Sequence, residues 1–130
     1  MMNETLLRDA AWWSAVAEPG DRCASVVRRA LGDRGAREWL QTRWVGVPGQ
    51  LAAYHTVDWL TQWARWRERA LSVDIDADLE RVARAGGGFV TPTDPRWPEQ
   101  LACLGEDEPA GLWFLGSLPE APRAGDYLSI

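Results

Sequence analysis

Gly88-Phe89-Val90-Thr91-Pro92-Thr93-Asp94-Pro95-Arg96-Trp97-Pro98-Glu99-Gln100-Leu101 is the stretch that decides how the fold is read, together with Pro109-Ala110-Gly111-Leu112-Trp113-Phe114-Leu115-Gly116 a short gap later. Phe89-Val90-Thr91 is a short β-prone run that Pro92 ends. Thr93-Asp94-Pro95 carries turn chemistry: an Asp side chain that can bond its own backbone, then a fixed φ. Pro98 suits the first turn of a short helix reaching residue 104, because a missing N–H costs nothing there. Residues 105–109 read as an acidic loop and 112–115 as a second strand. Residues 116–125 are rich in Pro and Gly and are expected to be mobile. Tyr127-Leu128-Ser129-Ile130 reads as the start of a further strand.

Upstream of Gly86-Gly87-Gly88 the periodicity changes from 2 to 3.6 and the chain reads as helical. Asn3 can cap a first helix, with Leu6, Leu7, Ala10, Ala11 and Val16 on its apolar side, stopped by Glu18-Pro19-Gly20-Asp21. Asp21 suits the cap of a second helix over 22–31, and Gly32 the left-handed position after it. A short third helix is expected over 35–42, before the break at Val47-Pro48-Gly49. A fourth spans 50–71, with Leu51, Tyr54, Val57, Trp59, Leu60, Trp63, Ala64 and Trp66 forming a wide apolar stripe. Its late Arg65, Arg67 and Arg69 suit the helix dipole. A fifth starts near Asp76 or Asp78, turns Leu79, Val82 and Ala83 inward, and ends at the three glycines.

A chain of 130 residues fits one domain, or one small domain and part of another. Hydrophobic residues at 46% against 25% charged place it among globular proteins rather than disordered ones. The net charge of -5 argues against a free-standing nucleic-acid binder, which needs a basic surface to neutralise phosphates. Every basic residue apart from His55 is arginine. Cys23 and Cys103 are far apart with no CxxC spacing, so neither a metal site nor a redox pair is indicated. The N-terminal segment carries Glu4, Arg8 and Asp9 where a secretory signal needs an apolar core. No apolar run approaches membrane-spanning length, so a cytoplasmic protein is expected. Nine tryptophans (Trp12, Trp13, Trp39, Trp44, Trp59, Trp63, Trp66, Trp97 and Trp113) could stack bases. Without a basic groove they read as core, with some left for an interface.

The candidate motifs favour structural roles. Gly86-Gly87-Gly88 precedes a strand, whereas a phosphate cradle follows one and opens a helix. His55, the single histidine, has Asp58 in helical reach but no nucleophile at a useful spacing. Asp74, Asp76 and Asp78 lack the glycine and terminal glutamate of a calcium loop and read as helix-start acids. Arg28-Arg29 and Arg65, Arg67 and Arg69 read as solvated faces paired with nearby acids. Residues 26–40, through Leu31-Gly32-Asp33-Arg34-Gly35, allow a minor helix-hairpin-helix reading in which backbone N–H groups meet phosphate. Asp33 weighs against it.

The order strand, Asp-Pro turn, Trp-Pro, short helix, acidic loop with Pro, strand and Gly resembles the lead-in to the Rossmann-like domain of DprA, the bacterial DNA-processing family. The likeness is specific mainly over residues 82–119. Ala10-Ala11-Trp12, Ala17-Glu18-Pro19-Gly20-Asp21 and Ala30-Leu31-Gly32 are similar in style to helical N-terminal domains of DprA proteins of the high-GC Gram-positive type. The resemblance implies a mainly α chain. A small helical domain over 1–85 (SAM-like or helix-hairpin-helix-like) would precede, over 86–130, the first short strands of an incomplete Rossmann-like α/β domain. Phe89, Val90, Asp94, Trp97, Pro98, Leu101, Pro109, Leu112, Trp113 and Gly116 match the family pattern, as structural positions. The family binds and protects single-stranded DNA and helps load RecA recombinase in natural transformation; it is not known as an enzyme and needs no cofactor. Its DNA-binding loop would lie beyond Ile130, so no DNA-binding residue is placed on this chain. The chain is expected to be a truncated piece, and a homodimer would form through the absent part. No catalytic, cofactor or metal residue and no membrane contact is expected.

Two other classes stay open. A helical protein-interaction adaptor without a nucleic-acid role would show a Trp-rich exposed patch over residues 39–66. A fragment of a Rossmann-like nucleotide-hydrolysing enzyme would need a Gly-rich phosphate loop and catalytic acids.

Overall fold

The computed structural model describes residues 4–18, 20–105 and 108–116. The expected cap at Asn3, the mobile stretch from residue 117 and the strand over 127–130 lie outside them. The protein is mainly helical with one small antiparallel sheet. Helix α1 (Glu4–Val16) is central: it packs against α2 (Arg22–Gln41), α3 (Trp59–Ala70), α4 (Ile75–Arg84) and strand β1 (Gly87–Val90). A helix touched on several sides must be apolar on several sides. Accordingly the consecutive residues Ala10, Ala11, Trp12 and Trp13 are all buried, with Val16. Leu6, expected on the inner side, is 55% exposed, and Leu7 is the first residue of α1 to reach the core.

Trp13 explains much of the helix packing. Its ring meets Trp12 at 5.2 Å and Trp66 at 5.7 Å, both edge to face. Its indole N–H donates to the Asp33 carbonyl at 3.0 Å. Trp66 in turn donates to Asp21 Oδ2 at 3.1 Å. Two large rings are thereby buried with their polar tips satisfied, which lets indoles occupy a core.

Asp21 caps α2 by accepting from Ala24 N. The helices expected over 22–31 and 35–42 are both present and meet at a kink within Arg22–Gln41. Gly32 makes that kink at φ 75°, ψ 159°, a region open essentially to glycine alone rather than the left-handed helical one. The expected single helix over 50–71 is divided. A 3₁₀ segment (Gly49–Tyr54) is followed by a break, and α3 begins at Trp59. The cause is local: Asp58 accepts from Thr61 N at 3.1 Å and Thr61 Oγ1 at 2.7 Å, the chemistry of a helix start. The Tyr54 carbonyl turns to the Trp59 indole. Helix α4 starts at Ile75, earlier than expected, because Asp74 and not Asp76 or Asp78 is its cap, accepting from Ala77 N.

Gly86, at φ 84°, ends the helical part. The other two glycines are already strand: β1 pairs with β2 (Leu112–Leu115) in the register Gly87↔Leu115, Gly88↔Phe114, Phe89↔Trp113, Val90↔Leu112. The alternation of strand residues gives the sheet two working faces. Phe89 and Trp113, with rings 4.9 Å apart, join the helical core. Val90, Leu112 and Phe114 pack with Trp97 and Leu101 on the other side, under α5 (Glu99–Ala102). The core therefore runs without interruption across residues 85–88.

Candidate functional site

The residues that carry the DprA resemblance come together in one unit, and each has a structural task. Asp94 shapes the turn between β1 and α5. Its Oδ1 accepts from Arg96 N at 2.8 Å and Nε at 3.1 Å, and its Oδ2 from Arg96 Nη2 at 3.0 Å. Arg96 holds the Asp94 carboxyl below its usual range, against an opposing push from partial burial. The Asp94 carbonyl accepts from Trp97 N, which turns Trp97 under the sheet. The Trp97 indole donates to Glu108 Oε2 at 3.0 Å. Pro98, fully buried, is the cap of α5 rather than its first residue and contributes no side-chain bond. Leu101 closes the lower cluster, and Gly116, at φ 74°, follows β2. Gly111 has no room for a side chain: a Cβ there would stand 2.2 Å from the Phe89 ring and 2.5 Å from the Val90 carbonyl oxygen.

One cleft, about 180 Å³, lies between α2 and the loops around the hairpin, lined by Ser25, Arg28, Arg29, Asp33, Pro92, Glu108 and Pro109. Its charges are engaged inside the chain. Arg28 Nε and Nη2 bond Asp33 Oδ1 and Oδ2 at 2.8 and 3.3 Å, across the Gly32 kink. Arg29 Nη2 donates to the Gly105 carbonyl. Glu108 holds Trp97. The cleft is a polar joint between the helices and the hairpin, and its Ser25 has no histidine beside it to act as base. At the α2 kink the Asp33 carboxylate accepts from Arg28 and the Asp33 carbonyl from Trp13, so an anionic side chain stands beside the turn whose N–H groups would have to meet a phosphate.

His55 stands exposed at the end of the 3₁₀ segment, and the Asp58 expected one turn away spends both oxygens on Thr61. Those bonds lower the Asp58 pKa. Cys23 is half-buried with its thiol pKa raised, by burial first and by Asp21 second; Cys103 is exposed. Among the described residues no group of three or more His, Cys, Asp or Glu could hold a metal ion, and no helix is long and apolar enough to cross a membrane.

Among the described residues, ion pairs engage Arg8, Arg28, Arg34, Arg37, Arg65, Arg69, Arg81, Arg84 and Arg96. Arg67 departs from the paired pattern expected of its cluster. It lies 4.8 Å over the Trp63 ring and donates to the Thr42 carbonyl. The Trp39, Trp44 and Trp63 rings form a second aromatic group, with Trp44 6.0 Å from Trp39 and 5.4 Å from Trp63. What this region exposes is mainly aliphatic: Val45, Val47, Leu60 and Leu71, with Tyr54. Sequence reasoning passed over Asp9, whose carboxylate is buried in the core and pairs with Arg37 at 3.1 Å, beneath the Arg37–Trp12 contact. Its Oδ2 has no hydrogen-bond partner among the described residues. The available signal was spacing, since Asp9 stands three and four residues before two buried tryptophans.

Comparison with protein-family models, curated proteins and solved structures finds no match to this chain.

Proposed function

We propose that this chain is the helical lead-in module of a DprA-type DNA-processing protein, a non-catalytic part that positions the rest. Single-stranded DNA and RecA are then met by the Rossmann-like domain of such a protein and not by these helices. The observation that carries the reading is the unit over residues 87–116. Its turn, short helix and paired strands follow the order of the resembling motif, and Phe89 and Trp113 anchor it to the helical core. The scarcity of unpaired arginines supports the same division of labour, because phosphate binding needs cations free to exchange counterions. The test has two parts. A labelled oligothymidine titrated with this chain at low salt should show no anisotropy change. Mixed with a DprA Rossmann-like domain lacking its own helical part, the chain should form a one-to-one complex on size exclusion. Failure to form that complex overturns the reading. Salt-sensitive DNA binding by the chain alone would move the DNA site into the helices.

A second reading, a protein-interaction adaptor, is favoured by one observation. Five large apolar side chains, Val45, Val47, Tyr54, Leu60 and Leu71, are exposed over residues 45–71.

A further inference from the structure

The outer side of α3 carries an apolar stripe that the fold does not cover. Leu60, Ala64 and Leu71 fall within about 40° of one another at 100° per residue, and Leu71 continues the helical backbone at the end of α3. All three are exposed, Leu60 by 49% and Leu71 by 84%. From Leu60 to Leu71 the stripe is about 16 Å long at 1.5 Å per residue, which matches roughly three turns of a partner helix. The loop before the 3₁₀ segment extends it sideways. Arg67 on α3 donates to the Thr42 carbonyl, Trp44 packs on Trp63, and Val45 beside them is 71% exposed.

The charges beside this stripe are of one sign on each flank. Arg67, on one flank, is held over Trp63 and bonded to a carbonyl, and Arg43 is next to that carbonyl in the chain. Neither has a carboxylate partner among the described residues, as is also true of Arg29 at the Gly105 carbonyl. A guanidinium has five donors, so Arg67 retains some for a second partner. Glu68 lies on the opposite flank of the stripe. An apolar strip with cations on one side only is complementary to an amphipathic helix with acids on one side only.

We infer that the outer face of α3, with Arg43 and Val45, docks an acidic amphipathic helix of another protein, its apolar residues on Leu60, Ala64 and Leu71 and its carboxylates on Arg43 and Arg67. A nucleic-acid strand fits this face less well. The exposed side chains are aliphatic and offer no ring for a base to stack on, and the Trp63 face is already taken by Arg67. The inference gives a chemical class to the partner of the adaptor reading and rests on that reading alone. The face is separate from the hairpin, so it can fail while the complex with the Rossmann-like domain still forms, and the reverse.

The experiment is fluorescence anisotropy with a labelled peptide of about 18 residues, long enough to hold a helix. It carries leucines at i, i+4, i+7 and i+11 and glutamates along one flank. A second peptide has lysines in their place. The acidic peptide should bind at least about tenfold tighter than the basic one, less so as salt rises. Arg43→Glu should weaken the acidic peptide by about fivefold or more and improve the basic one. Leu60→Glu should weaken both. Both substitutions sit on exposed side chains, so unchanged thermal melts will show that the fold survives. Three outcomes overturn the inference: no binding of the acidic peptide, equal binding of the two peptides, or indifference to Arg43→Glu and Leu60→Glu. Oligothymidine binding that Arg43→Glu abolishes would also overturn it and assign the face to nucleic acid.

Discussion

Asp94 receives three hydrogen bonds from a single neighbour, Arg96, and its carboxyl pKa is lowered as a result, with the side-chain bonds the largest cause. A group whose pKa falls on folding stabilises the native state while it is ionised. That contribution is present in full above the ordinary carboxylate range and is lost as the pH drops through the lowered value. Asp94→Asn should therefore be less stable than the parent chain at pH 7, and the gap should shrink towards zero at acid pH. Urea titrations of both proteins at pH 7 and pH 3 measure it, and a gap that does not change with pH would mean the carboxylate charge is irrelevant to the turn. Gly32 presents the opposite case, a residue that matters for having no side chain. A Cβ there would meet nothing within 4 Å, so any penalty belongs to the backbone at φ 75°, ψ 159°. Gly32→Ala should cost about 1–3 kcal/mol in a urea melt. A neutral result would show that α2 can straighten.

Helix ends were legible where one residue decides them. Asp21 was readable as a cap, and Leu112–Leu115 as a strand, because Asn, Asp, Pro and Gly act on their immediate neighbours. The split of residues 50–71 was not legible from period alone. Leu51, Tyr54 and Val57 stand three residues apart, as on a helix, and only the bonds that Thr61 donates to Asp58 decide that a new helix begins. The glycines were half legible. Gly86 stops α4 as its type suggests, but Gly87 and Gly88 serve the sheet, where a Cβ on Gly87 would stand 1.9 Å from the Phe114 carbonyl oxygen. That approach depends on a partner strand 27 residues away, which no local pattern reveals. Asp21 also joins two elements: Oδ1 caps α2 while Oδ2 accepts from the buried Trp66 indole of α3 and from Arg65. Asp21→Ala should destabilise by about 2–3 kcal/mol, combining a lost cap with an indole N–H left unpaired. Asp21→Asn keeps an acceptor for the cap and should lose less. Equal losses in the two variants, measured by urea unfolding, would mean that the charge facing Arg65 outweighs both bonds.

Across the whole molecule, the change of composition near residues 85–88 suggests two parts that the packing does not separate. Trp113, on β2, buries its ring among the helices and donates from its indole to Ser14 Oγ at 3.3 Å, while that hydroxyl donates to the Ala11 carbonyl. Phe89 and Ala110 enter the same cluster as Trp13, Trp39 and Trp66. Helices and hairpin that share one core should unfold together, since neither can lose its partner without exposing large rings to water. Trp113→Ala removes the ring that both parts use and should cost about 3–5 kcal/mol. Far-ultraviolet circular dichroism follows the helices, and near-ultraviolet dichroism reports the packed tryptophans of both parts. In the parent chain the two melting curves should superimpose. In Trp113→Ala a small early near-ultraviolet step, from Trp97, should precede the main one, as the hairpin loses its anchor while α1 to α4 retain their mutual contacts. If the parent chain already melts in two steps, the hairpin is a separately stable unit, and its docking on α1 is too weak to fix the geometry that a lead-in module must hold.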